Sequence, residues 1–387
     1  MKLMKNNVCA PNGFKALSKS AGIKKSGKHD ITVMFSEVAA DAAAVYTSNK
    51  VKGAPLIVTK EHLANGKARA IVVNSGIANV CTGIKGINDA RETAKAAGDE
   101  LGINADDVLV ASTGLIGAYL PMNRIKNSLK GIKKQLSVTP NAAYGIMTTD
   151  SAKKEIAVKV DNFTIGAIAK GSGMVHPNMA TMLCFITTDA KIHHKRLKGF
   201  LKNSVDRSFN MTSVDMDTST SDMAIIMANG LAGKADERKF QNALDYVCTE
   251  LAKKIAIDGE GATKLVEVRV KNALTKNDAD RIAKSVITSN LVKCALFGND
   301  PNWGRILCAM GNSGASFDQN LVDVHFEDEG IVKNGVSNGF NYEKIKQAMA
   351  RKALKIVINL NQGSGCSVAY GCDMTYDYVR INAAYTT

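Results

Sequence analysis

The sequence of 387 residues has few aromatic side chains and no long apolar run. Only 5% of the residues are Phe, Trp or Tyr, so the stacking platforms that bind single-stranded nucleic acid would be scarce. No segment approaches the roughly 18 apolar residues that a membrane-spanning helix requires. The opening stretch MKLMKNNVCAPNGFK contains lysines but no apolar core of a secretory signal. We therefore expect a soluble, cytoplasmic protein without a membrane partner.

Metal-binding patterns are also missing. The eight cysteines form no CxxC pair, and several stand in apolar runs such as TMLCFIT and RILCAM. They are expected to be small core residues in a reducing compartment. Cys366 and Cys372 are close in sequence, but no histidine joins them at ligand spacing. The acidic run over 215–226 has calcium-loop spacing, yet it lacks the glycine at the sixth position and the glutamate at the twelfth. The sequence therefore predicts no bound metal.

The net charge is positive, because 50 Lys and Arg stand against 36 Asp and Glu, which gives +14. Such a charge favours anionic partners. The basic residues are spread over many predicted helices rather than concentrated in one patch, so nucleic acid is the weaker hypothesis. Anionic small-molecule substrates account for the charge equally well.

The chain is about two to three times the usual domain length, which predicts two domains or one large layered body. Short β-branched segments alternate with helical patterns. The predicted strands are 54–59, 69–74, 108–111, 155–160, 163–169, 182–187, 264–270, 355–360 and 366–371, and the predicted helices are 86–101, 123–136, 236–256, 276–296 and 341–354. Strands 155–160 and 163–169, joined by Asp161 and Asn162, predict a hairpin that breaks strict βαβ alternation. We therefore predict an α/β fold of the layered α+β kind, with a mixed-sheet sandwich flanked by helices.

A threonine stands where a glycine-containing loop meets an apolar segment, in KGSGMVHPNMATMLCFITTDA (170–190). An N-terminal threonine is an activated nucleophile, because its own α-amine serves as the base. That chemistry would require a cut between Ala180 and Thr181. Gly171, Gly173 and Pro177 predict a loop able to hold strained geometry. An ordinary loop-to-strand junction is the alternative interpretation.

A second segment, VLVASTGLIG (108–117), ends an apolar strand in Ser112, Thr113 and Gly114. In a turn of this type, a backbone N–H and a hydroxyl can face one point and form an oxyanion hole. By itself the tripeptide is common and indicates no more than a turn. His176 precedes Thr181 by five residues, but after cleavage it would lie on the other chain, so we do not expect it to be the base.

Together these segments resemble the ornithine acetyltransferases, the bifunctional glutamate N-acetyltransferases of arginine biosynthesis. The resemblance implies a self-cleaving protein related in fold to N-terminal-nucleophile hydrolases. The matching segments are TSNKVKGAPLIVTKEHL (47–63), NSGIANVCTG (74–83), ASTGLIG (111–117), IMTTD (146–150), KGSGM (170–174), PNMATMLCFITTDA (177–190), SVDMDTSTSD (213–222), DGEGATK (258–264), GNDPNWGRI (298–306) and YVRINAAYTT (378–387). Two positions depart from the family pattern: His176 replaces a small apolar residue, and Met216 replaces a glycine.

The resemblance implies that Thr181 attacks the carbonyl of Ala180 and cleaves the chain into 1–180, the main layered body, and 181–387, which includes a smaller C-terminal α/β domain. Thr181 would then take acetyl from N-acetylornithine and pass it to glutamate in a ping-pong cycle. Thr113 and Gly114 would stabilise the oxyanion. The substrate-binding residues that the resemblance implies are Thr148, Lys170, Thr181, Glu260, Asn382 and Thr387.

Charge supports part of this set, since a lysine suits the α-carboxylate that both substrates share and Glu260 suits an ammonium. The resemblance further implies no cofactor and an α2β2 heterotetramer of cleaved chains, and it leaves open whether acetyl-CoA also donates acetyl. Two alternatives stay open. An enzyme of the same fold could act as an amidase or aminopeptidase with water as the acyl acceptor, and a basic binding protein would not cleave itself. Trp303 and Arg305 fit either a structural role or a pocket wall.

Overall fold

The computed structural model describes residues 1–5, 7–138, 141–176 and 182–384. These residues form two compact units. Unit 1 comprises the described residues within 1–171, 178–210 and 218–251, and unit 2 comprises those within 172–177, 211–217 and 252–387. Within the described ranges, no helix is both long enough and apolar enough to span a membrane.

The strands are β1 (Lys2–Met4), β2 (Phe14–Lys19), β3 (Ile31–Tyr46), β4 (Lys67–Ile77), β5 (Val108–Leu115), β6 (Lys154–Val160), β7 (Phe163–Lys170), β8 (Leu183–Thr188), β9 (Thr212–Ser213), β10 (Met223–Ala228), β11 (Leu265–Ala273), β12 (Asp323–Phe326), β13 (Glu329–Lys333), β14 (Val336–Ser337), β15 (Ala353–Asn359) and β16 (Gly365–Cys372). The helices are α1 (Ala54–His62), α2 (Gly83–Leu101), α3 (Met122–Leu129), α4 (Ile132–Gln135), α5 (His194–Arg207), α6 (Glu237–Ile257), α7 (Lys276–Thr288), α8 (Asn290–Phe297), α9 (Trp303–Gly311), α10 (Tyr342–Met349) and α11 (Tyr376–Ala384).

In unit 1, nine strands of described residues build one mixed sheet. The order is β1-β6-β7-β8-β10-β3-β4-β5, and β2 pairs with β3. The β8–β10 and β4–β5 pairs are parallel, whereas β6, β7 and β8 are antiparallel to their neighbours in that series. Every residue of β8 and β10 is buried. Strands that are buried on both faces have continuous apolar sequences. The apolar run at 182–187, which predicted a strand, corresponds to β8.

Two apolar clusters pack against this sheet. Adjacent strand residues fall in different clusters: Ile71 belongs to the cluster around Phe185, and Val72 belongs to the cluster around Leu101. This alternation follows from the two-residue period of a strand. The second cluster is completed by the apolar sides of α2 and α3, including Ile125. Strand β5 contributes residues to both clusters and is therefore held from both faces, and Ile168 of β7 belongs to the first cluster.

Unit 2 contains a seven-stranded sheet among its described residues, in the order β14-β13-β12-β15-β11-β16-β9. Helix α7 packs on β11 and β16. The apolar core combines strand residues such as Val268 and Ile356 with Ile282 and Val286 of α7. The mixed sheets and helices of the two units confirm the predicted α/β class.

The predicted hairpin is confirmed by β6 and β7, which pair antiparallel on either side of Asp161 and Asn162. The predicted strand at 54–59 is wrong, because this segment begins helix α1. Pro55 lies in the first turn of α1, where its missing N–H breaks no helical hydrogen bond. Burial of Leu56 and Val58 outweighs the strand preference of β-branched residues.

Three predicted helices have different ends. The helix over 123–136 is divided into α3 and α4, because Gly131 adopts a left-handed conformation with φ 65°. The helix over 276–296 is divided at Ser289, whose side chain accepts a hydrogen bond from the backbone N–H of Val292 and begins α8. The helix over 341–354 ends at Met349, and β15 begins at Ala353.

Candidate active site

The residues predicted for the site fall into three groups. Ala180, Thr181 and Thr387 lie outside the described residues. Unit 1 contains Thr113, Gly114, Thr148 and Lys170, and unit 2 contains Glu260 and Asn382.

Thr113 and Gly114 lie within strand β5 and not in the turn that the sequence predicts. Gly114 pairs with Gly76 of β4, where the register of the two strands shifts. Gly114 has φ 127°, and a Cβ atom there would overlap the backbone of Gly76. Position 114 therefore requires glycine, because only glycine combines this conformation with such a close approach.

Buried hydrogen bonds fix the two strands at this point. The Ser112 hydroxyl donates to Asn74 Oδ1 at 2.5 Å. The Ser75 hydroxyl donates to the carbonyl of Gly145 at 2.7 Å, which joins β4 to the segment that precedes Thr148. These bonds fix the backbone beside Thr113 and Gly114, and a preorganised oxyanion site needs such a fixed backbone.

Lys170 is the last residue of β7, and it is only 9% exposed. Its Nζ atom donates a hydrogen bond to Thr113 Oγ1 at 3.4 Å. Lys170 is therefore a buried strand residue and not an exposed loop charge. The fold brings two of the predicted residues, Lys170 and Thr113, into contact.

Asp150, which no sequence motif identified as a site residue, connects the polar groups around Lys170. Its carboxylate accepts hydrogen bonds from Lys154 Nζ at 2.7 Å, Gly171 N at 2.8 Å and Thr148 N at 2.9 Å. Burial acts to raise the pKa of Asp150, but the charges of Lys170 and Lys154 and these hydrogen bonds lower it to about 2. Asp150 is therefore a carboxylate at neutral pH and holds Thr148 near Lys170. The only sequence signal was its position at the end of the segment IMTTD.

Asp222 is a second buried carboxyl group of unit 1, and it is 4% exposed. Burial raises its pKa well above the usual value, against the opposing effects of a hydrogen bond from Ser219 and the charge of Lys170. Among the described atoms, its Oδ2 has no hydrogen-bond partner. The next residue, Met223, donates its N–H to the carbonyl of Met182 at 3.2 Å. In the sequence, Asp222 stands out only as a member of the acidic run over 215–226.

In unit 2, Glu260 and Asn382 are in direct contact. Asn382 Nδ2 donates to Glu260 Oε2 at 2.9 Å and to the carbonyl of Tyr378 at 3.0 Å. Gly261 has φ 70°, and a Cβ atom there would overlap the backbone of α11 at Tyr378. A Cβ atom on Gly173 would overlap the Glu260 carboxylate. Gly173 therefore leaves the space that the Glu260 carboxylate occupies, and Gly261 allows α11 to pack next to Glu260.

The surroundings of Glu260 are acidic. Burial, together with the charges of Asp215, Asp217 and Glu260, raises the pKa of the Tyr378 hydroxyl. Asp215 accepts hydrogen bonds from the backbone N–H groups of Met174 at 2.6 Å and Val175 at 2.8 Å. A cluster of this charge suits a positively charged ligand group.

The two departures from the family pattern also lie in unit 2. His176 Nδ1 is 3.2 Å from the Ser213 hydroxyl. Burial and the charge of Lys284 lower the pKa of His176, with Asp217 acting in the opposite direction, so the imidazole is neutral at neutral pH. Met216 is exposed and has φ 70°. Glycine adopts this conformation at little cost, in agreement with the glycine that the resemblance implies at this position.

Trp303 and Arg305 belong to α9 of unit 2. Trp303 packs against the apolar core of that unit. The guanidinium of Arg305 donates to the carbonyl of Leu291 in α8 at 2.8 Å. These contacts give both residues a structural role in joining α8, α9 and the core.

One group of described side chains has ligand atoms close enough to hold a metal ion. The nearest donor atoms of Asp41, His193 and His194 all lie within 4.8 Å of one another. Asp41 is already occupied, since its Oδ1 accepts the backbone N–H of His194 at 3.0 Å and its Oδ2 is 2.9 Å from Lys67 Nζ. The lysine and the positive end of α5 both oppose a cation at this position.

Comparison with known proteins places these features in a family. The ArgJ family model matches residues 15–387. The arginine biosynthesis bifunctional protein ArgJ of Caldanaerobacter subterraneus subsp. tengcongensis is 47% identical over 407 residues, and the alignment covers 100% of both chains. The protein of the same name from Listeria monocytogenes is 44% identical over 399 residues, again with 100% of both chains covered.

A solved structure gives a similar result. The crystal structure of arginine biosynthesis bifunctional protein ArgJ from Bacillus halodurans is 43% identical to this chain with a TM-score of 0.50. The match covers 51% of this chain and 97% of the solved chain. Full-length similarity to these relatives places the chain among the arginine biosynthesis proteins. The chain belongs to the ArgJ family.

Proposed function

We propose that this chain is an acyltransferase that moves the acetyl group of N-acetylornithine to glutamate in arginine biosynthesis. The contact between buried Lys170 and Thr113, next to Gly114, carries the proposal. It combines a cation for a substrate carboxylate with donors for an oxyanion. Full-length similarity to ArgJ proteins supports the same assignment.

The proposed cycle begins with self-cleavage. The Thr181 hydroxyl attacks the Ala180 carbonyl, the peptide bond shifts to an ester, and water releases chains 1–180 and 181–387. The freed α-amine of Thr181 then takes the hydroxyl proton as the oxygen attacks the acetyl carbonyl of the donor. The Thr113 hydroxyl and the Gly114 N–H stabilise the tetrahedral oxyanion, and ornithine leaves with the proton. The amine of glutamate attacks the acetyl ester and restores the threonine.

Substrate recognition follows from charge. In unit 1, Lys170 binds the α-carboxylate that donor and acceptor share, and Thr148 adds a hydrogen bond. In unit 2, Glu260 binds the side-chain ammonium of the donor, because it is held by Asn382 in an acidic cluster. Thr387 completes the proposed set as a further polar contact. No cofactor takes part in the acetyl transfer through threonine.

Three finer properties belong to the same proposal. Acetyl-CoA serves as a second acetyl donor, as the word bifunctional in the names of the relatives suggests. Two cleaved pairs assemble as α2β2, and the protein works in the cytoplasm. The Bacillus halodurans chain supports cleavage, because almost all of that chain matches only about half of this one.

Thr181→Ala tests the proposal. We expect an uncut, folded chain near 41 kDa that transfers no acetyl, since cleavage and catalysis use the same hydroxyl. Thr181→Ser is the matched control, and it should still cut and transfer. Purified wild-type protein should give two bands on a denaturing gel, the second beginning TMLCF. Consumption of N-acetylornithine that does not depend on glutamate would instead identify an amidase, and appreciable transfer by Thr181→Ala would contradict the mechanism.

A further inference from the structure

Unit 1 contains a cavity of about 640 Å³ beside the residues described above. Its lining includes Lys24, Lys28, His29, Met147, Thr148 and Asp150. Two of them, Thr148 and Asp150, already belong to the polar group around Lys170. The cavity therefore opens next to the proposed site for the substrate carboxylate, and the mechanism leaves its two lysines without a role.

Lys24 is held in place before any ligand arrives. Its Nζ donates to the carbonyls of His29 at 2.8 Å and Met147 at 2.7 Å. The loop around it is fixed by buried Asp30, whose carboxylate accepts the backbone N–H groups of Ile23 at 2.6 Å and Lys24 at 2.9 Å. An ammonium group has three N–H bonds, and these two carbonyls use two of them. One N–H of Lys24 is left for a ligand.

The position of Lys24 relates the cavity to the proposed oxyanion donors. A Cβ atom on Gly76 would lie 3.1 Å from Lys24 Cγ, so the stem of Lys24 packs on Gly76. Gly76 is the strand partner of Gly114. The ammonium of Lys24 therefore lies within the length of its own side chain from Gly76, which pairs with Gly114 of β5.

The charge balance of the cavity favours an anion. Among the described residues that line the cavity, Asp150 is the one carboxylate, and it is already paired with Lys154 and lies beside Lys170. Asp30 is occupied by backbone N–H groups. Among these described groups, Lys24, exposed Lys28, Lys154 and Lys170 thus place four positive charges against the two negative charges of Asp30 and Asp150.

We propose that Lys24 and Lys28 bind the side-chain carboxylate of the glutamate acceptor in this cavity and so determine acceptor specificity. The inference rests on the proposed function. Donor and acceptor share an α-amino acid part, but the donor side chain ends in an ammonium and the acceptor side chain ends in a carboxylate. The acidic cluster at Glu260 suits the first, and the lysine-lined cavity suits the second.

The test compares glutamate with its uncharged analogue glutamine as acetyl acceptor. The readout is the ratio of kcat/KM for glutamate to kcat/KM for glutamine, measured in Lys24→Met, Lys28→Met and Lys25→Met. Lys25→Met is the matched control, because Lys25 is an exposed lysine of the same loop that does not line the cavity. We expect Lys24→Met to lower the ratio roughly 10- to 100-fold, as for loss of a charge-assisted hydrogen bond. Lys28→Met should lower the ratio by about 2- to 5-fold, because Lys28 is exposed, and Lys25→Met should leave the ratio unchanged.

The ratio separates recognition from damage to the fold. A loop distorted by Lys24→Met would lower kcat/KM for both acceptors by one factor, and that result would overturn the proposal. An unchanged ratio in Lys24→Met and Lys28→Met would also overturn it. If Lys24→Met does not fold, the ratio in Lys28→Met decides. A variant that raises the KM for acetyl-CoA and leaves the acceptor ratio unchanged would assign the cavity to the acyl donor and contradict the inference. Failure of the proposed function is distinct, since wild-type protein would then transfer acetyl to neither acceptor.

Discussion

The ammonium of Lys170 lies 3.4 Å from the hydroxyl of Thr113, and both side chains are buried. A buried lysine is costly unless a carboxylate and hydrogen bonds compensate for lost solvent. Asp150 supplies that carboxylate. The result is a positive charge held beside the threonine that we propose as an oxyanion donor, at the end of a strand fixed by its neighbours.

Lys170→Met is expected to separate the two proposed activities. The methionine retains much of the packing of the stem but cannot bind the α-carboxylate of a substrate. Loss of a charge-assisted hydrogen bond of about 1.5–3 kcal/mol should lower kcat/KM for acetyl transfer roughly 10- to 150-fold. Self-cleavage uses no free carboxylate and should continue, which a denaturing gel of the same preparation measures.

The control for this variant is Lys159→Met, which removes an exposed lysine from the neighbouring strand β6. It should cut and transfer like the wild type. A cleaved Lys170→Met protein with wild-type kcat/KM would show that Lys170 does not bind substrate.

Asp150→Asn should destabilise the protein in a pH-dependent way. The pKa of Asp150 is about 2 in the folded state, below its ordinary value of 3.8. Because the pKa of Asp150 is lower in the folded state than in the unfolded state, its ionisation stabilises the folded protein fully at pH values above the unfolded-state pKa. This stabilisation is lost as the pH falls through about 2. The variant should lose about 2 kcal/mol or more near neutral pH, because Lys154 and Lys170 stay buried.

The measurement is urea unfolding of wild type and Asp150→Asn at several pH values. The difference in their free energies of unfolding should shrink between pH of about 4 and about 2. Asp99→Asn is the control, since Asp99 forms an exposed i,i+4 pair with Lys95, and such pairs contribute at most about 1 kcal/mol. A pH-independent difference for Asp150→Asn would contradict the assigned ion pair.

Met216→Gly should be neutral or stabilising. The left-handed conformation costs a residue with a side chain roughly 1 kcal/mol or more, and replacement by glycine removes this cost. Part of the resulting gain in stability is offset, because glycine increases the conformational entropy of the unfolded chain. The exposed Met216 side chain contributes little packing. We expect a gain of up to about 1 kcal/mol in the free energy of unfolding, whereas Met216→Ala retains the strain and should give no gain. A clear loss of stability in Met216→Gly would show that the side chain contributes packing.

The sequence predicted elements whose determinants are local. The hairpin of β6 and β7 follows from two alternating runs and a two-residue turn at Asp161 and Asn162, and it is confirmed. The same reasoning wrongly predicted a strand at 54–59. This segment is part of α1, and α1 packs against α2 and β5, which lie far along the chain. Periodicity carries no information about such partners.

The candidate site divides in the same way. Thr113 and Gly114 could be identified because they stand together in the chain, although the strand continues through them. Asp150 and Lys24 could not, because the atoms that they bind are distant in sequence: Gly171 for Asp150 and Met147 for Lys24. A lysine or an aspartate has the same sequence signal whether it is exposed or buried beside a partner.

Acceptor specificity should depend on pH through Lys24. Burial lowers the pKa of the Lys24 ammonium to about 8; Asp30 and Asp150 act to raise it, and Lys170 and Lys28 lower it further. The other titratable groups that line the cavity are His29 and Tyr144. A neutral Lys24 binds a carboxylate less well, so the preference for glutamate over glutamine should decline as pH rises through about 8. Both acceptors must lose an α-ammonium proton before they attack, and the ratio of their kcat/KM values cancels that common requirement.

Lys24→Arg isolates the contribution of this one group, because a guanidinium stays protonated throughout the measured range. The variant should still favour glutamate at pH 7, and its ratio should stay level between pH values of about 7 and 9, where the wild-type ratio falls. Titration of Lys28, His29 or Tyr144 would instead change the ratio in both proteins. Steady-state kinetics with both acceptors across this range therefore assign the pH dependence. Parallel curves for wild type and Lys24→Arg would exclude Lys24 as the group that binds the acceptor side chain. Divergence of the two curves above about pH 8 would support that role.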